Sequence, residues 1–218
     1  MLVQERMTQN PITVSPDMPV PHALRLMREK KVRRFPVVDS HGALVGIVSD
    51  KDLLHASPSP ATTLSMWEIP DLLSRIHISH VMSPNVITVS ADTPLEEAAR
   101  LMADKKVGGL PVMEGERLVG IITETDLFKA LLEMLGGRRP GVRVAVAVPA
   151  IKGVLSRVTT AIFEVGGNIV GLGMKGINGS YGDKAEIVLK VQDVPLDKLV
   201  AALEPVVDGI MDVREIAA

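Results

Sequence analysis

The chain has 218 residues, 46% of them hydrophobic, enough for two or three small domains with packed cores. Lys+Arg 24 against Asp+Glu 26 gives a net charge of -2, and aromatics make up only 2%, so the chain has neither the basic surplus nor the stacking platforms of a nucleic-acid binder. The absence of cysteine excludes disulfides, thiolate metal sites and cysteine nucleophiles.

The first residues, Met1 to Met7, contain no apolar targeting core, and no apolar run approaches the ~20 residues that span a bilayer. A soluble, cytoplasmic protein with no membrane partner is expected. Taken in order, the chain is dominated by an internal repeat. Met7 to Val38 aligns without gaps on Met82 to Met113, and Leu44 to Ala56 on Leu118 to Ala130; more than half of the aligned positions are identical. Duplication predicts one backbone used twice.

Each copy opens with a short strand, Ile12-Thr13-Val14 or Ile87-Thr88-Val89. A helix begins at Pro19 or Pro94, where the missing N–H does no harm; Thr93-Pro94-Leu95-Glu96 also has capping-box spacing. Val20, Leu24 and Met27, and Ala98, Leu101 and Met102, supply the stripes that pack on a sheet. Strands follow at Phe35 to Val38 and Leu110 to Met113, then a turn through His41-Gly42 or Glu114-Gly115. A second strand, Leu44 to Val48 or Leu118 to Ile122, runs into a hydroxyl residue, Ser49 or Thr123. Three residues later an aspartate, Asp52 or Asp126, opens a short helix. Such a corner presents unpaired N–H groups and a positive dipole end, which suits a phosphate or a ribose. A β-α-β-β-α unit of this size is too small to stand alone, and the two are expected to pair sheet against sheet with pseudo-two-fold symmetry.

Ser57 to Thr63 reads as a turn-rich linker and Leu64 to Ile76, with Trp67, as a short helix interrupted near Pro70. The pattern breaks at Gly136-Gly137-Arg138-Arg139-Pro140-Gly141. Beyond it a strand alternates Val142, Val144, Val146 and Val148, and a helix spans about Gly153 to Val165, ended by Gly166-Gly167. A strand to about Met174, a glycine-rich turn from Gly176 to Gly182, a strand with Ala185, Ile187, Leu189 and Val191, a helix opening at Pro195 and a strand over about 206–213 complete the order β-α-β-β-α-β, a ferredoxin-like sandwich. The fold class is α+β, with domains at 3–57, 77–133 and 142–215 and a linker with a short helix at 58–76.

Three motifs compete for attention. Gly171-Leu172-Gly173-Met174-Lys175-Gly176 spells the dinucleotide fingerprint, but no helix can open on the residues after it, so a bent strand and turn is expected. His77 and His80 lack a carboxylate partner nearby and read as structural or solvent-facing, with no metal site. The eleven methionines read as core filling.

Residues 3–132 resemble a tandem pair of CBS domains. The carrying strings are Gly46-Ile47-Val48-Ser49-Asp50-Lys51-Asp52 and Gly120-Ile121-Ile122-Thr123-Glu124-Thr125-Asp126, the Val32-to-Pro36 and Val107-to-Pro111 stretches, and the Ile-Thr-Val-Ser openings at Ile12 and Ile87. Residues 142–214 are similar to an ACT domain, through strand order plus Gly153-Val154-Leu155 and Gly167-Asn168-Ile169. The combination, with Ala61-Thr62-Thr63-Leu64-Ser65 and Trp67, resembles the acetoin-utilisation B (AcuB-like) CBS–ACT proteins. The CBS resemblance implies an adenosyl ligand such as AMP, ADP, ATP or an S-adenosyl compound, in clefts shared between the copies. It implies that Asp52 and Asp126 accept from ribose hydroxyls, that Ser49 and Thr123 donate to phosphate or ribose, and that backbone at Ile12, Val32, Ile87 and Val107 lines the adenine slot. Asn10, Asn85, Lys51 and Thr125 complete the implied ligand set, with Arg33 and Arg34 in one copy where the other has Gly108 and Gly109. Composite clefts place Asp126 opposite residues 32–34 and Asp52 opposite 107–109. Arg33 and Arg34 are then expected to grip phosphate in the Asp126 cleft, leaving the glycine-lined Asp52 cleft roomier and weaker for phosphate.

The ACT resemblance implies a ligand loop at Ile151, Lys152, Gly153, Val154 and Leu155, with Asn168. Where amino-acid-binding relatives carry Asp-x-Pro-Gly, this chain has Ala150-Ile151-Lys152-Gly153, so the acid for an ammonium is missing and dimerisation is an equal expectation. The expected function is a non-enzymatic, homodimeric regulatory sensor of adenine nucleotides acting on an unknown regulated enzyme. A structural dimerisation scaffold with empty clefts, an ACT-mediated amino-acid sensor, and an enzyme built on scattered carboxylates stand as rivals. The aspartates also have a plain reading as helix N-caps, and the arginines as surface charges.

Overall fold

The computed structural model describes residues 1–56, 75–176 and 184–217. The expected linker, nearly all of the helix around Trp67 and the glycine-rich turn after Gly176 lie outside the described residues. The chain divides into two compact units, Met1–Leu127 and Phe128–Ala218.

In the first unit the repeat in sequence is a repeat in backbone. Helix α1 (Val20–Lys30) is N-capped by Pro19 and ends on Lys31 in the left-handed region at φ 54°; its counterpart α3 (Leu95–Lys105) is N-capped by Pro94 and ends on Lys106 at φ 55°. Each buries one stripe, Val20, Ala23 and Met27 or Leu95, Ala98 and Met102. Strand β2 (Arg34–Val38) pairs antiparallel with β3 (Leu44–Ser49), as β5 (Gly109–Glu114) does with β6 (Arg117–Thr123), each pair with a bulge at the matching place. Short helix α2 (Asp50–His55) follows β3, and the longer α4 (Glu124–Met134) follows β6. Phe35, Val37, Val48 and Leu53 sit in the core of the first copy with Val20 and Ile78. Burial of each large side chain there contributes roughly 1.5–3 kcal/mol.

The second copy extends its sheet with a strand from the first, and the first receives a single bridge from the second at the matching place. Strand β1 (Thr8–Gln9) pairs with Ile121 and Gly120 of β6, and Ser83, the counterpart of Thr8, bridges Ile47 of β3. The glycines at these edges have a steric role: a Cβ on Gly120 would run into Met7 Sδ, and one on Gly46 into Met82 Sδ. The expected strand at Ile12–Val14 is reduced to a single parallel bridge from Val14 to Val37, and its counterpart is the two-residue β4 (Val89–Ser90). Val14 still bonds β2 in both directions, donating to the Pro36 carbonyl at 3.2 Å and accepting from the Val38 N–H at 3.0 Å, while the exchanged β1 joins β6, a pairing that periodicity could not reveal. The capping box at Thr93 is also corrected. Pro94 is the N-cap with no side-chain bond, and Thr93 Oγ1 instead accepts from the Ser90 N–H at 3.1 Å.

The second unit carries β7 (Gly141–Pro149), α5 (Val154–Glu164), β8 (Asn168–Lys175), β9 (Lys184–Gln192), α6 (Leu196–Leu203) and β10 (Gly209–Ile216). The sheet runs β10-β7-β9-β8, antiparallel throughout, an order compatible with a ferredoxin-like domain. Val142, Val144, Val146 and Val148 of β7 and Ala185, Ile187, Leu189 and Val191 of β9 form its core with Val158 and Ile162 of α5 and Leu199 and Leu203 of α6. Gly153 at φ 82° and Gly166 at φ 84° bracket α5, positions where a side chain would be strained. The last strand starts later than expected, because residues 204–206 form a 3-10 turn around Pro205, and it continues to Ile216. Among the described residues no helix is long and apolar enough to cross a membrane.

Candidate functional site

The two strand-to-helix corners have the same internal wiring. In the first, Ser49 N–H donates to Asp52 Oδ2 at 2.8 Å and the Ser49 hydroxyl donates to the same oxygen at 2.7 Å, while the Asp52 N–H returns to Ser49 Oγ at 3.4 Å. In the second, Thr123 N–H and hydroxyl donate to Asp126 Oδ2 at 3.0 and 2.7 Å. The plain reading of Asp52 as the N-cap is corrected: Ser49 is the N-cap and Asp52 closes a capping box from the third helical position, through Oδ2, one of the two oxygens of its carboxylate. Each hydroxyl has one proton and gives it to its own aspartate, so Ser49 and Thr123 meet any ligand as acceptors in this state, not as the expected donors.

Each corner opens into a cleft whose far wall comes from the other copy. The Asp52 cleft, about 480 Å³, combines Ser49, Lys51 and Asp52 with Asn85, Ile87, Val107, Gly108 and Gly109. The Asp126 cleft, about 300 Å³, combines Thr123, Thr125 and Asp126 with Asn10, Ile12 and Val32. Both volumes suit a small molecule, for which sites of roughly 300–1,000 Å³ are usual. All sixteen residues of the implied nucleotide set line one cleft or the other.

Arg33 and Arg34 each line both clefts. Arg33 donates to Thr125 Oγ1 at 3.3 Å, on the Asp126 side. Arg34 turns the other way: a Cβ built on Gly108 would lie 2.5 Å from one terminal nitrogen of its guanidinium, and one on Gly109 would lie 2.8 Å from the other. The glycines of the second copy thus leave room for the Arg34 guanidinium in the Asp52 cleft, whose lining carries four cationic side chains against three acids, where the Asp126 cleft has three against one. Arg34 is half-buried, and burial lowers its pKa from the ordinary arginine value, opposed first by the carboxylate of Glu124 and further by Asp50 and Asp52.

Sequence reasoning missed Lys31, Lys106, Asp50 and Glu124, which all line the clefts. The repeat alignment contained the signal. Lys31 and Lys106 are matched helix-ending residues just before Val32 and Val107, and Asp50 and Glu124 are matched acids between the hydroxyl and the aspartate.

In the second unit the loop at 151–155 carries no acid. Ile151 and Leu155 are exposed, Asn168 begins β8 at the surface, and Val154 is turned into the core, so its side chain is corrected from ligand contact to packing. His77 and His80 stack with ring centroids 5.8 Å apart, and the His77 N–H donates to His80 Nδ1 at 3.3 Å. Among the described residues no group of three or more His, Cys, Asp or Glu is placed to hold a metal ion. Gly171 to Lys175 lie within β8, with no helix opening on the fingerprint glycines.

The CBS domain family matches residues 3–59 and 78–133. The sheet β7–β10 lies outside those matched residues. A CBS domain-containing protein of Dictyostelium discoideum is 35% identical over 136 residues, spanning 62% of this chain and 94% of that protein. The chloroplastic CBS domain-containing protein CBSX2 of Arabidopsis thaliana is 34% identical over 144 residues, covering 58% of this chain and 60% of that one. Among solved structures, CBSX2 in complex with AMP aligns at TM-score 0.52 and 36% identity, over 61% of this chain and 97% of its own. The CBS domain pair of protein MJ0100, in complex with 5′-methylthioadenosine and S-adenosyl-L-methionine, aligns at 0.52 and 27% over 64% and 98%. An acetoin utilization protein (AcuB) from Vibrio cholerae aligns at 0.50 and 33%, over 60% and 89%.

Proposed function

Because the chain belongs to the CBS-domain family, we propose that it is a regulatory sensor, not an enzyme, which binds an adenosyl ligand in the clefts of its first unit. The observation that carries this reading is the duplicated corner, an aspartate held at the mouth of a composite cleft that also contains a guanidinium. A carboxylate oxygen not used by the cap accepts from a ribose hydroxyl pair, and a guanidinium answers a phosphate bidentately. The AMP complex of CBSX2 and the S-adenosyl and methylthioadenosine complex of the MJ0100 pair support the ligand class.

We place the sensor in the cytoplasm as a homodimer. The second unit is read as an ACT-type domain serving assembly and response more than amino-acid capture, since its loop offers Lys152 where an ammonium would need an acid. The likeness to the Vibrio cholerae protein supports a place among the acetoin-utilisation B proteins. Ligand acts on the regulated enzyme only by binding one arrangement of the chain better than another.

Thermal melts with adenosine, AMP, ADP, ATP and S-adenosylmethionine test the reading. A bound member at 100 times its Kd adds about 2.7 kcal/mol of stability. Melting unchanged across the whole panel defeats the sensor in favour of a scaffold, and turnover of AMP or ATP defeats it in favour of an enzyme.

A further inference from the structure

The sheet of the second unit turns alternate side chains into the core beneath α5 and α6, and the others onto its opposite face. Three cations stand in one row on that opposite face. Arg214 of β10 is registered against Arg143 of β7, and Arg143 against Lys190 of β9. Like charges directly opposed across strands destabilise a sheet, so the row calls for counter-charge. Asp212 supplies one carboxylate, whose two oxygens accept from Arg143 at 2.6 Å and from Arg214 Nε at 2.7 Å. Three positive charges against one negative leave the row two charges in excess.

The excess is least compensated at Lys190. This lysine is 5% exposed, the only buried polar or charged residue among those described, and its ammonium has no hydrogen-bond or ion-pair partner among them. The turn after α4 covers its stem, since a Cβ on Gly136 would lie 3.2 Å from Lys190 Cγ, while the ammonium itself still reaches solvent. Burial lowers the pKa of Lys190 and Arg143 lowers it further, with no carboxylate opposing them. Its neighbour on β8 is Gly171, which brings no acid.

We propose that this row is a binding site for a small oxyanion with at least two negative charges, bridging Lys190 and the unused N–H donors of Arg143 and Arg214. The site lies in the second unit and goes beyond the sensor reading, which concerns the clefts of the first. Arg143 gives Asp212 one terminal nitrogen and Arg214 gives it only Nε, so both guanidinium groups keep donors and the lysine keeps all three. Opposed Cβ atoms on neighbouring strands are about 5 Å apart. An anion with oxygens on two sides therefore meets adjacent cations at once, and a singly charged group leaves one unmet.

The test is an NMR titration of the full chain with pyrophosphate, and in parallel with succinate, that follows the backbone amides of Arg143, Lys190 and Arg214. Saturable shifts centred on these three support the site. A response to both anions assigns it to any such oxyanion, and a response to one alone assigns it to phosphate compounds or to dicarboxylates. Lys190→Met keeps the buried stem and should weaken binding about tenfold, the worth of one charge-assisted hydrogen bond. Arg214→Gln, at an exposed position, should also weaken it, and Asp212→Asn should tighten it by removing the competing carboxylate. Arg34→Ala, in the clefts, should leave these shifts unchanged. Shifts confined to cleft residues, shifts on this row that never saturate, or an affinity unmoved by both Lys190→Met and Arg214→Gln overturn the site. None of those results touches the adenosyl reading, which stands or falls on the nucleotide melts.

Discussion

The Asp52 and Asp126 clefts are one backbone built twice, and they part at Ser49/Thr123, Asp50/Glu124 and Lys51/Thr125 in the corner and at one dipeptide in the wall. Both have the aspartate cap, the strand-to-helix corner and a wall from the opposite copy. Arg33-Arg34 in one copy and Gly108-Gly109 in the other then make them chemically unequal, since Arg33 reaches Thr125 in the Asp126 cleft and Arg34 lies over the two glycines in the Asp52 cleft. Duplication fixes where the two clefts lie, and divergence at the shared wall changes the charge that lines each one. A dipeptide placed between two clefts changes both at once.

The largest effects should come from the cores behind the clefts. Phe35 and Leu110 are matched and fully buried, so Phe35→Ala should cost about 3–5 kcal/mol and Leu110→Ala about 2–5 in urea denaturation. A negligible loss at either one would break the equivalence of the two copies. Next come the corners themselves. Asp52→Ala and Asp126→Ala should each lose about 1 kcal/mol of cap stability. Each should also abolish the ligand-dependent rise in melting temperature contributed by its own cleft. Equal loss of AMP response from both variants would erase the chemical difference between the clefts; a loss confined to Asp52→Ala would sharpen it.

The smallest effect lies in the hairpin turns, where the copies also differ. Asp39 Oδ1 accepts from the N–H groups of His41 and Ala43, both at 2.9 Å, while the matched residue of the second copy is Glu114. The bond from Ala43 holds the Asp39 carboxyl below its ordinary pKa; desolvation opposes it next, and the bond from His41 adds to the lowering. A depressed carboxyl stabilises the fold above its unfolded value near 3.9 and loses that contribution as pH falls through the lower folded value. Amide exchange in the first hairpin should therefore speed up in Asp39→Ala at pH 6 and match wild type near pH 2, with the second hairpin unchanged throughout.

Much of this was legible in the chain. The repeat located both corners, proline placed both helix starts, and alternation placed the valines of β7 and the apolar residues of β9 in the core. The strand expected at Ile12 failed because two or three apolar residues in extended conformation say nothing about which partner they pair with. Thr93 failed because its spacing fits a capping box only if the helix begins at Pro94, and the helix begins one residue later, at Leu95.

By itself the sequence determined what depends on near neighbours: element type, the duplicated unit, the Ser-to-Asp and Thr-to-Asp caps and the turn chemistry. Tertiary structure alone decided which edge each short strand joined and which cleft received each guanidinium. Those outcomes depend on contacts such as Thr8 with Ile121 and Arg34 with Gly108, between residues far apart in the chain. Local spacing carries no record of such contacts until the two copies pack together.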